Sequence, residues 1–255
     1  MQLNYKISGQ GDAVFLIHGL FGSLSNFGLL QQTLSTHYRV ICVDVRNHGE
    51  SPHHPSMRYQ DMAQDILELA KLLDISSFSI VGHSMGGKIA MQVALLAPER
   101  VNKLVVADMS PVNYEPRHQG VFAGLQAVAE ADFKTRSEAQ TCLSQYVEEV
   151  GVIQFLLKSL YKYKDKMIWR YNLDALVNGY ADIIAWPETT ATFQGPTLFI
   201  KGELSDYIIK DYWPSGAKHF PQAKIKMIMG TGHWLHAEKP VVFNKIVANF
   251  LAATS

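Results

Sequence analysis

The sequence predicts an α/β fold built on a mostly parallel, twisted sheet with helices on both faces. Short apolar runs rich in β-branched residues alternate with longer amphipathic segments, which is the pattern of strand, helix and strand in such folds. Each run is apolar almost throughout, as strands of a parallel sheet covered on both faces must be. The chain therefore winds through right-handed crossovers. The predicted strands are 13–19, 39–45, 78–84, 103–109, 196–202 and 223–230.

Two helices between these strands are predicted from spacing, and the N-terminal stretch predicts a hairpin. Residues 59–73 carry apolar side chains at helical intervals, and 85–97 reads as a helix that ends before a proline. Residues 3–17 contain a glycine-rich turn between two short runs, which predicts a β-hairpin. That hairpin would give the sheet an antiparallel edge.

The alternation of strands and helices stops between residues 112 and 192. This stretch has several helical patterns, no good strand and many aromatic side chains. We predict that 112–192 is a helical cap inserted into a core formed by 1–111 and 193–255. Its aromatic residues either pack a small core of the cap or line an apolar pocket above a functional site.

Composition and charge limit the class of partner. The chain has 255 residues, with 23 lysines and arginines balanced by 23 acidic residues. A net charge of zero, with no cationic cluster, argues against nucleic acid or an anionic membrane surface and favours a small-molecule partner. No signal-peptide pattern and no apolar run of membrane-spanning length are present, so a cytoplasmic protein without a membrane span is expected. Two cysteines, Cys42 and Cys142, are too few for a disulfide framework. The sequence leaves the oligomeric state open.

The strongest motif is Gly-His-Ser-Met-Gly at residues 82–86. It fits the pattern G-x-S-x-G and lies between a predicted strand and a predicted helix, where both glycines relieve crowding around a sharp turn. Such a turn lifts the serine above the sheet edge. Ser84 is therefore the candidate nucleophile.

A serine hydroxyl is a weak nucleophile and needs a general base nearby. His233 lies in a glycine-rich loop directly after the last predicted strand, at the sheet edge where Ser84 also emerges. His236 is three residues further on, and we expect it to have a structural role, hydrogen-bonding this loop. His233 is the candidate base.

Two loops can supply backbone N–H groups for a developing oxyanion. One follows the first parallel strand, where residues 18–22 form a glycine-rich bend, and the other begins the helix after Ser84. The predicted donors are the amides of Leu20 and Met85, with Phe21 as the alternative to Leu20. The side chains of Phe21 and Trp234 are predicted to line the substrate pocket.

Four motifs occur in the order seen in esterases of the α/β-hydrolase fold: HGLFGS, DVRNHGES, GHSMGG and GTGHW. The chain resembles that family over essentially its whole length. DVRNHGES, with Asn47 where many relatives have glycine, and VVADMSP at 105–111 are similar to the small bacterial esterases of the YbfF type. The resemblance implies structural roles for Asp44 and Arg46.

The acid that orients His233 has two candidates, Asp108 and Asp206. Most α/β-hydrolases place the acid three residues after a strand-ending glycine, and that position, counted from Gly202, holds Ser205. Asp206 is displaced by one residue, which turns an extended side chain to the opposite side unless the loop absorbs the shift. Asp108 ends the strand that follows the nucleophile strand, and the YbfF-type resemblance implies an acid there. We therefore predict that Asp108 is the acid and that Ser205 is a supporting hydrogen-bonding partner near His233.

Together these residues predict a serine hydrolase that cleaves carboxylic esters or acyl thioesters through an acyl-enzyme. The chemistry calls for no metal and no organic cofactor, and the balanced charge favours an uncharged or fatty acyl group. Carbon–carbon bond hydrolysis and cofactor-free perhydrolysis use the same serine and histidine and remain alternatives. A non-catalytic ligand-binding protein on this scaffold is the alternative from another class.

Overall fold

A computed structural model describes residues 1–253 and places seven of its strands in one sheet, in the spatial order β1-β3-β2-β4-β5-β8-β9. β1 runs antiparallel to β3, and the other neighbours are parallel. The strands β1 to β9 are Tyr5–Ser8, Ala13–Ile17, Arg39–Val43, Phe78–His83, Val101–Ala107, Leu160–Tyr163, Lys166–Trp169, Thr197–Gly202 and Ala223–Ile228. All six predicted parallel strands are confirmed, to within two residues at each end.

Eleven α-helices are found in the described residues, and they cover both faces of the sheet. The helices α1 to α11 are Gly28–Leu34, Tyr59–Leu72, Met85–Leu96, Gln119–Glu130, Arg136–Leu143, Val150–Leu157, Leu173–Asn178, Tyr180–Ile184, Trp213–His219, Leu235–Glu238 and Pro240–Ala252. Short 3₁₀ helices span Leu24–Phe27, Pro98–Arg100 and Lys210–Tyr212. Within residues 1–253, no helix combines the length and the hydropathy that a membrane crossing requires.

The sheet separates two hydrophobic clusters because alternate side chains of a strand point to opposite faces. In β2, Phe15 and Ile17 pack with α2 and α3, whereas Val14 and Leu16 pack with α1 and α11. Every residue of β2 is buried. A strand covered on both faces has no polar side, which explains why β2 is apolar throughout, whereas the edge strand β9 carries two lysines and is mostly exposed.

The predicted N-terminal hairpin is wrong in its pairing, although the antiparallel edge is present. β1 pairs with β3, with Tyr5 opposite Val43, and not with its sequence neighbour β2. Both edges of the fully buried β2 are taken by the parallel strands β3 and β4. β1 is only half-buried and suits the sheet edge, which it reaches through a turn where Gly9 and Gly11 adopt φ values of 74° and 105°.

Residues 112–192 contain α4 to α8, and none of their described residues joins the seven-stranded sheet. The expectation of no strand there is wrong, because β6 and β7 form a separate antiparallel hairpin. Its strands have four residues each, too short to give a clear period, and Lys164 makes the turn with φ of 52°. The division into a core and a cap stays a prediction. Residues 254 and 255, at the end of the predicted core, lie outside the described part of the chain.

The loop after β3 is held by buried polar contacts from Asp44 and Arg46. The Asp44 carboxylate accepts hydrogen bonds from the Leu24 amide at 2.7 Å and from the Asn4 side chain at 2.8 Å. Arg46 forms a buried ion pair with Asp65 of α2, with Nε 2.7 Å from the carboxylate. Neither side chain lines the main cavity described below.

Candidate active site

Ser84 lies in a strained turn between β4 and α3. Its φ of 55° and ψ of −123° fall in a region that residues with a side chain rarely adopt. The turn is held by hydrogen bonds from the Ser84 amide to the Ala107 carbonyl, at 3.0 Å, and from the Gly87 amide to the Ser84 carbonyl, at 2.8 Å. The bend directs the serine away from the sheet, as the motif predicts.

Gly86 is required by close packing of α3 against β2. A Cβ atom at Gly86 would collide with the backbone carbonyls of Ile17 and His18, which are part of the sheet and its adjoining loop. Gly28, at the start of α1, has helical φ and no neighbour within 4 Å of such an atom. The two glycines therefore make a matched pair for substitution.

We expect Gly86→Ala to lower the free energy of unfolding by about 1–3 kcal/mol, because the backbone must move to admit the methyl group. Gly28→Ala should leave it unchanged or raise it by up to about 1 kcal/mol, since alanine restricts the unfolded chain. Urea denaturation followed by circular dichroism measures both. Equal midpoints for the two variants would contradict the close approach at Gly86.

His233 joins Ser84 to Asp108 through its two ring nitrogens. Its Nε2 lies 2.9 Å from the Ser84 Oγ, and its Nδ1 lies 2.7 Å from the Asp108 Oδ2. A carboxylate only accepts, so the Nδ1 donates to Asp108, and the Nε2 is left to accept the hydrogen bond of the Ser84 hydroxyl. The structure therefore brings together three residues that lie far apart in the sequence, in the arrangement that general-base activation of a hydroxyl requires.

Asp108 is fully buried and is surrounded by hydrogen-bond donors. Its Oδ1 accepts from the Gly202 amide at 3.0 Å, and its Oδ2 accepts from the Ser205 hydroxyl as well as from His233. Its backbone φ is 51°, which turns the residue at the end of β5 towards the neighbouring β8. Ser205 therefore contacts the acid directly, rather than the histidine.

Asp206 faces the outside of the same loop. Its carboxylate lies 2.8 Å from the Arg117 guanidinium, and its side chain is 69% exposed. The one-residue displacement seen in the sequence thus corresponds to a side chain that points away, while Ser205 points inward. Of the two candidate acids, the structure brings Asp108 and not Asp206 into contact with His233.

The Leu20 and Phe21 amides differ in whether they are free to bind a ligand. The Phe21 N–H donates to the His48 Nε2 at 3.1 Å. Burial lowers the pKa of His48 to about 3, so its ring is neutral, and its Nδ1 donates to the Arg46 carbonyl at 3.0 Å. Among residues 1–253, no hydrogen bond involves the Leu20 amide. Met85 is the first residue of α3, where amides have no partner within the helix.

A cavity with about 710 Å³ of space between its atoms, part of it open solvent, lies beside Ser84 and His233. Phe21 and Trp234 line it, as predicted, and the Trp234 ring packs against Phe155 of α6 with a centroid distance of 4.2 Å. The segment 112–192 supplies further apolar wall residues, namely Val121, Val152, Leu156, Ile183 and Ile184. Some aromatic and aliphatic residues of that segment thus line the pocket, and others, including Trp169, are buried in the hydrophobic cluster.

His83 was missed by the sequence analysis although it lies within the serine motif. It is buried beside His233, and its Nε2 donates to the His233 carbonyl at 2.8 Å. Burial, together with the neighbouring His236 and His233, lowers the pKa of His83 well below its usual range, so the ring is neutral. Because only the fold brings residue 83 next to residue 233, spacing alone could not reveal this contact.

His236 does not hydrogen-bond the loop as expected. Its buried Nδ1 has no hydrogen-bond partner among the described residues. The ring instead packs against His83, at 4.3 Å between centroids, and against Phe27, at 5.3 Å. The prediction of a structural role through hydrogen bonding is wrong in its contact, and packing takes its place.

Lys88 is a second residue that the sequence analysis missed. It lies on α3 one turn after Ser84 and is completely buried at the cavity wall, over the rings of Tyr59 and Tyr114. Among residues 1–253, no carboxylate forms an ion pair with it. Burial lowers the pKa of its ammonium from 10.5 to about 7.

This lowered pKa predicts a pH-dependent stability. The unfolded chain keeps the Lys88 proton up to pH 10.5, whereas the folded chain releases it near pH 7, so the free energy of unfolding rises with pH between these values. Compared with Lys88→Met, the wild type should gain about 2 kcal/mol between pH 7 and pH 9. Urea denaturation of both proteins across this range measures the difference, and a constant difference would contradict the lowered pKa.

Comparison with known proteins agrees with this fold. A family model described as the alpha/beta hydrolase fold matches residues 12–240. Esterase YbfF of Escherichia coli (strain K12) is 42% identical over 239 residues, which cover 93% of this chain and 92% of that protein. The sn-1-specific diacylglycerol lipase ABHD11 of Mus musculus is 41% identical over 248 residues, covering 94% and 81%. A solved structure described as a marine microorganism esterase superposes with a TM-score of 0.95 at 36% identity, covering 98% and 99%.

Proposed function

Because this chain belongs to the α/β-hydrolase fold family, we propose that it is a serine hydrolase that cleaves carboxylic esters through an acyl-enzyme on Ser84. The observation that carries the proposal is the pair of contacts made by His233, 2.9 Å to the Ser84 Oγ and 2.7 Å to the Asp108 carboxylate. Hydrogen-bond reach between nucleophile, base and orienting acid is the geometric requirement for this chemistry.

In the proposed mechanism, His233 accepts the Ser84 proton as the oxygen attacks the acyl carbonyl. The resulting oxyanion lies between the Leu20 and Met85 amides, which stabilise the charge as it develops. His233 then protonates the leaving alcohol, and the C–O bond to that alcohol breaks. A water molecule, deprotonated by the same histidine, then attacks the acyl-enzyme. The bond from the acyl carbon to the Ser84 oxygen breaks, His233 returns the proton to that oxygen, and the carboxylic acid is released.

Asp108 has two roles in this mechanism. It keeps the proton on the Nδ1 of His233 and stabilises the imidazolium that forms when the ring takes up the serine proton. Hydrogen bonds from Gly202 and Ser205 fix the position of the carboxylate. In this proposal the acid directly follows β5, and Ser205 supports it from the loop after β8.

The cavity favours an uncharged or fatty acyl group, because aromatic and aliphatic side chains make up most of its wall. The relatives include proteins described as an esterase and as diacylglycerol lipases, so short-chain esters and diacylglycerol are the first substrates to test. Acyl thioesters fit the same mechanism, since an oxyanion forms in either case. A substrate panel that includes both separates these classes, and adding a carbon–carbon bond substrate tests that alternative.

The decisive experiment combines a serine-directed fluorophosphonate probe with hydrolysis of chromogenic esters of increasing acyl length. The wild type should react with the probe at Ser84 and release the chromophore, and Ser84→Ala should do neither. A wild type that neither reacts with the probe nor hydrolyses any ester would overturn the proposal and favour a non-catalytic ligand-binding role.

His83 gives a further prediction for the same reaction. His83→Phe removes the hydrogen bond to the His233 carbonyl, so we expect kcat to fall by about 10- to 100-fold through misplacement of the base. His83→Gln, whose side-chain amide can donate to the same carbonyl, should retain most of the rate. Steady-state kinetics on one short ester measure both, and equal losses in the two variants would show that ring packing, not the hydrogen bond, is required.

A further inference from the structure

The C-terminal end of α8 is capped by side chains from the helices that pack against the sheet. The last carbonyls of a helix have no partner within it and need donors from elsewhere. The Tyr59 hydroxyl of α2 donates to the Ile183 carbonyl at 2.6 Å, and the Lys88 Nζ of α3 donates to those of Ile184 and Ala185 at 2.8 Å and 2.7 Å. Two side chains therefore cap three successive carbonyls.

Lys88 is suited to this position for electrostatic reasons. The C-terminal end of a helix carries partial negative charge, which favours a cation or a strong donor. A lysine is almost never fully buried without a partner, and here the carbonyls of Ile184 and Ala185 and the faces of two tyrosine rings surround the ammonium. Lys88 can therefore be buried because the end of α8 lies against α3 and supplies these carbonyls.

The contact connects the nucleophile helix to one wall of the cavity. Lys88 follows Ser84 by one turn of α3, and Ile183 and Ile184 line the same cavity as Ser84. Moving the end of α8 would therefore change the space next to the nucleophile. A small displacement there alters which groups fit, because a single methylene in an apolar pocket changes selectivity by about 10- to 200-fold.

We propose that Lys88 is a positioning residue that holds the end of α8 against α3 and thereby determines which acyl groups Ser84 accepts. The proposal rests on the proposed serine hydrolase function. In this role the buried lysine determines specificity without binding a charged group of the substrate. The lysine acts through the position of Ile183 and Ile184, not by contact with the reacting atoms.

The test compares Lys88→Met with Lys103→Met. Methionine has a similar length and volume but cannot donate to the carbonyls. Lys103 is a matched control, because its Nζ donates to carbonyls near the C-terminal end of α11, including that of Leu251 at 2.7 Å, on the part of the chain that does not line the cavity. The measurement is kcat/KM for acetate, butyrate, octanoate and branched pivalate esters, with kcat and KM resolved for each.

We expect Lys88→Met to raise the ratio of octanoate or pivalate to acetate kcat/KM by about tenfold, mainly through KM, because a displaced wall admits longer and bulkier chains. Lys103→Met should leave this ratio within about twofold of the wild type. An unchanged ratio in a folded Lys88→Met protein would overturn the proposal. Tyr59→Phe, which removes only the hydroxyl bonded to Ile183, should shift the ratio in the same direction and serves if Lys88→Met fails to fold.

Hydrogen exchange provides a readout that does not depend on activity. In Lys88→Met, the amides of α8 and of Ala185 and Trp186 should exchange at least about tenfold faster than in the wild type, because the Ile184 and Ala185 carbonyls have lost the Lys88 donor. Unchanged exchange there would overturn the role of Lys88 even if the enzyme is active. A wild type without ester hydrolysis or probe labelling would instead overturn the proposed function, so the two failures are distinguishable.

Discussion

Replacing Asp108 with asparagine should lower kcat/KM for a short-chain ester by about 10⁴-fold. Asparagine has nearly the same shape, but its amide group can donate to the Nδ1 of His233 and so favour the tautomer in which the Nε2 carries the proton. That tautomer cannot accept the Ser84 proton. The loss should appear mainly in kcat, since Asp108 is fully buried and does not line the cavity.

Asp206→Asn is the matched control for this prediction, because it makes the same substitution in the loop after β8 without touching His233. Asp206 is mostly exposed and pairs only with the Arg117 guanidinium among the described residues, and an exposed pair contributes at most about 1 kcal/mol. Its kcat/KM should stay within about threefold of the wild type. A collapse in Asp206→Asn together with near-normal Asp108→Asn would contradict the assignment of the acid.

The second large effect is the loss of activity in Ser84→Ala and His233→Ala. Each substitution should lower kcat by about 10⁶-fold, and the double variant should be no slower than either single variant. The reason is that the two side chains act as one unit: without the base the hydroxyl is not activated, and without the hydroxyl the base has nothing to deprotonate. Kinetics of all three variants on one chromogenic ester provide the measurement.

Two controls make the result specific. Circular dichroism should show that each variant is folded, because both side chains lie at the cavity surface and Ser84→Ala deletes one oxygen atom. The fluorophosphonate probe should still label His233→Ala, more slowly, and should not label Ser84→Ala. If the loss of kcat in the double variant equalled the product of the two single losses, the serine and the histidine would contribute independently. That result would contradict the proposed mechanism.

Local chemistry made several features predictable from sequence. Ser84 and His233 could be proposed because each follows a predicted parallel strand, and the carboxyl ends of parallel strands share one edge of the sheet. The α/β fold, its six parallel strands and the helices after residues 58 and 84 were predicted for the same reason. Asp108 and Asp206 could not be separated by spacing, because the direction of a loop side chain depends on backbone angles such as the φ of 51° at Asp108.

Other features depended on which segments meet in space. β1 passes its sequence neighbour and pairs with β3, because β2 already has a neighbour on each edge. The hairpin β6–β7 escaped prediction, since strands of four residues carry too little periodicity. His83 acquires its role from His233, 150 residues further along the chain, which no local pattern encodes.

The sequence by itself determined the class of fold, the nucleophile and the base of the proposed reaction, because hydrophobic periodicity and turn glycines act between near neighbours. The sequence favoured Asp108 and Leu20 but left Asp206 and Phe21 as alternatives, and the tertiary structure decided which aspartate contacts His233 and which of the two amides is free. Only the tertiary structure shows what surrounds Lys88. These are contacts between residues remote in sequence, and their geometry follows from packing of the whole chain. In the sequence, a lysine indicates an exposed position. The hydrogen bonds from Lys88 to carbonyls at the end of α8 explain why this lysine is buried instead.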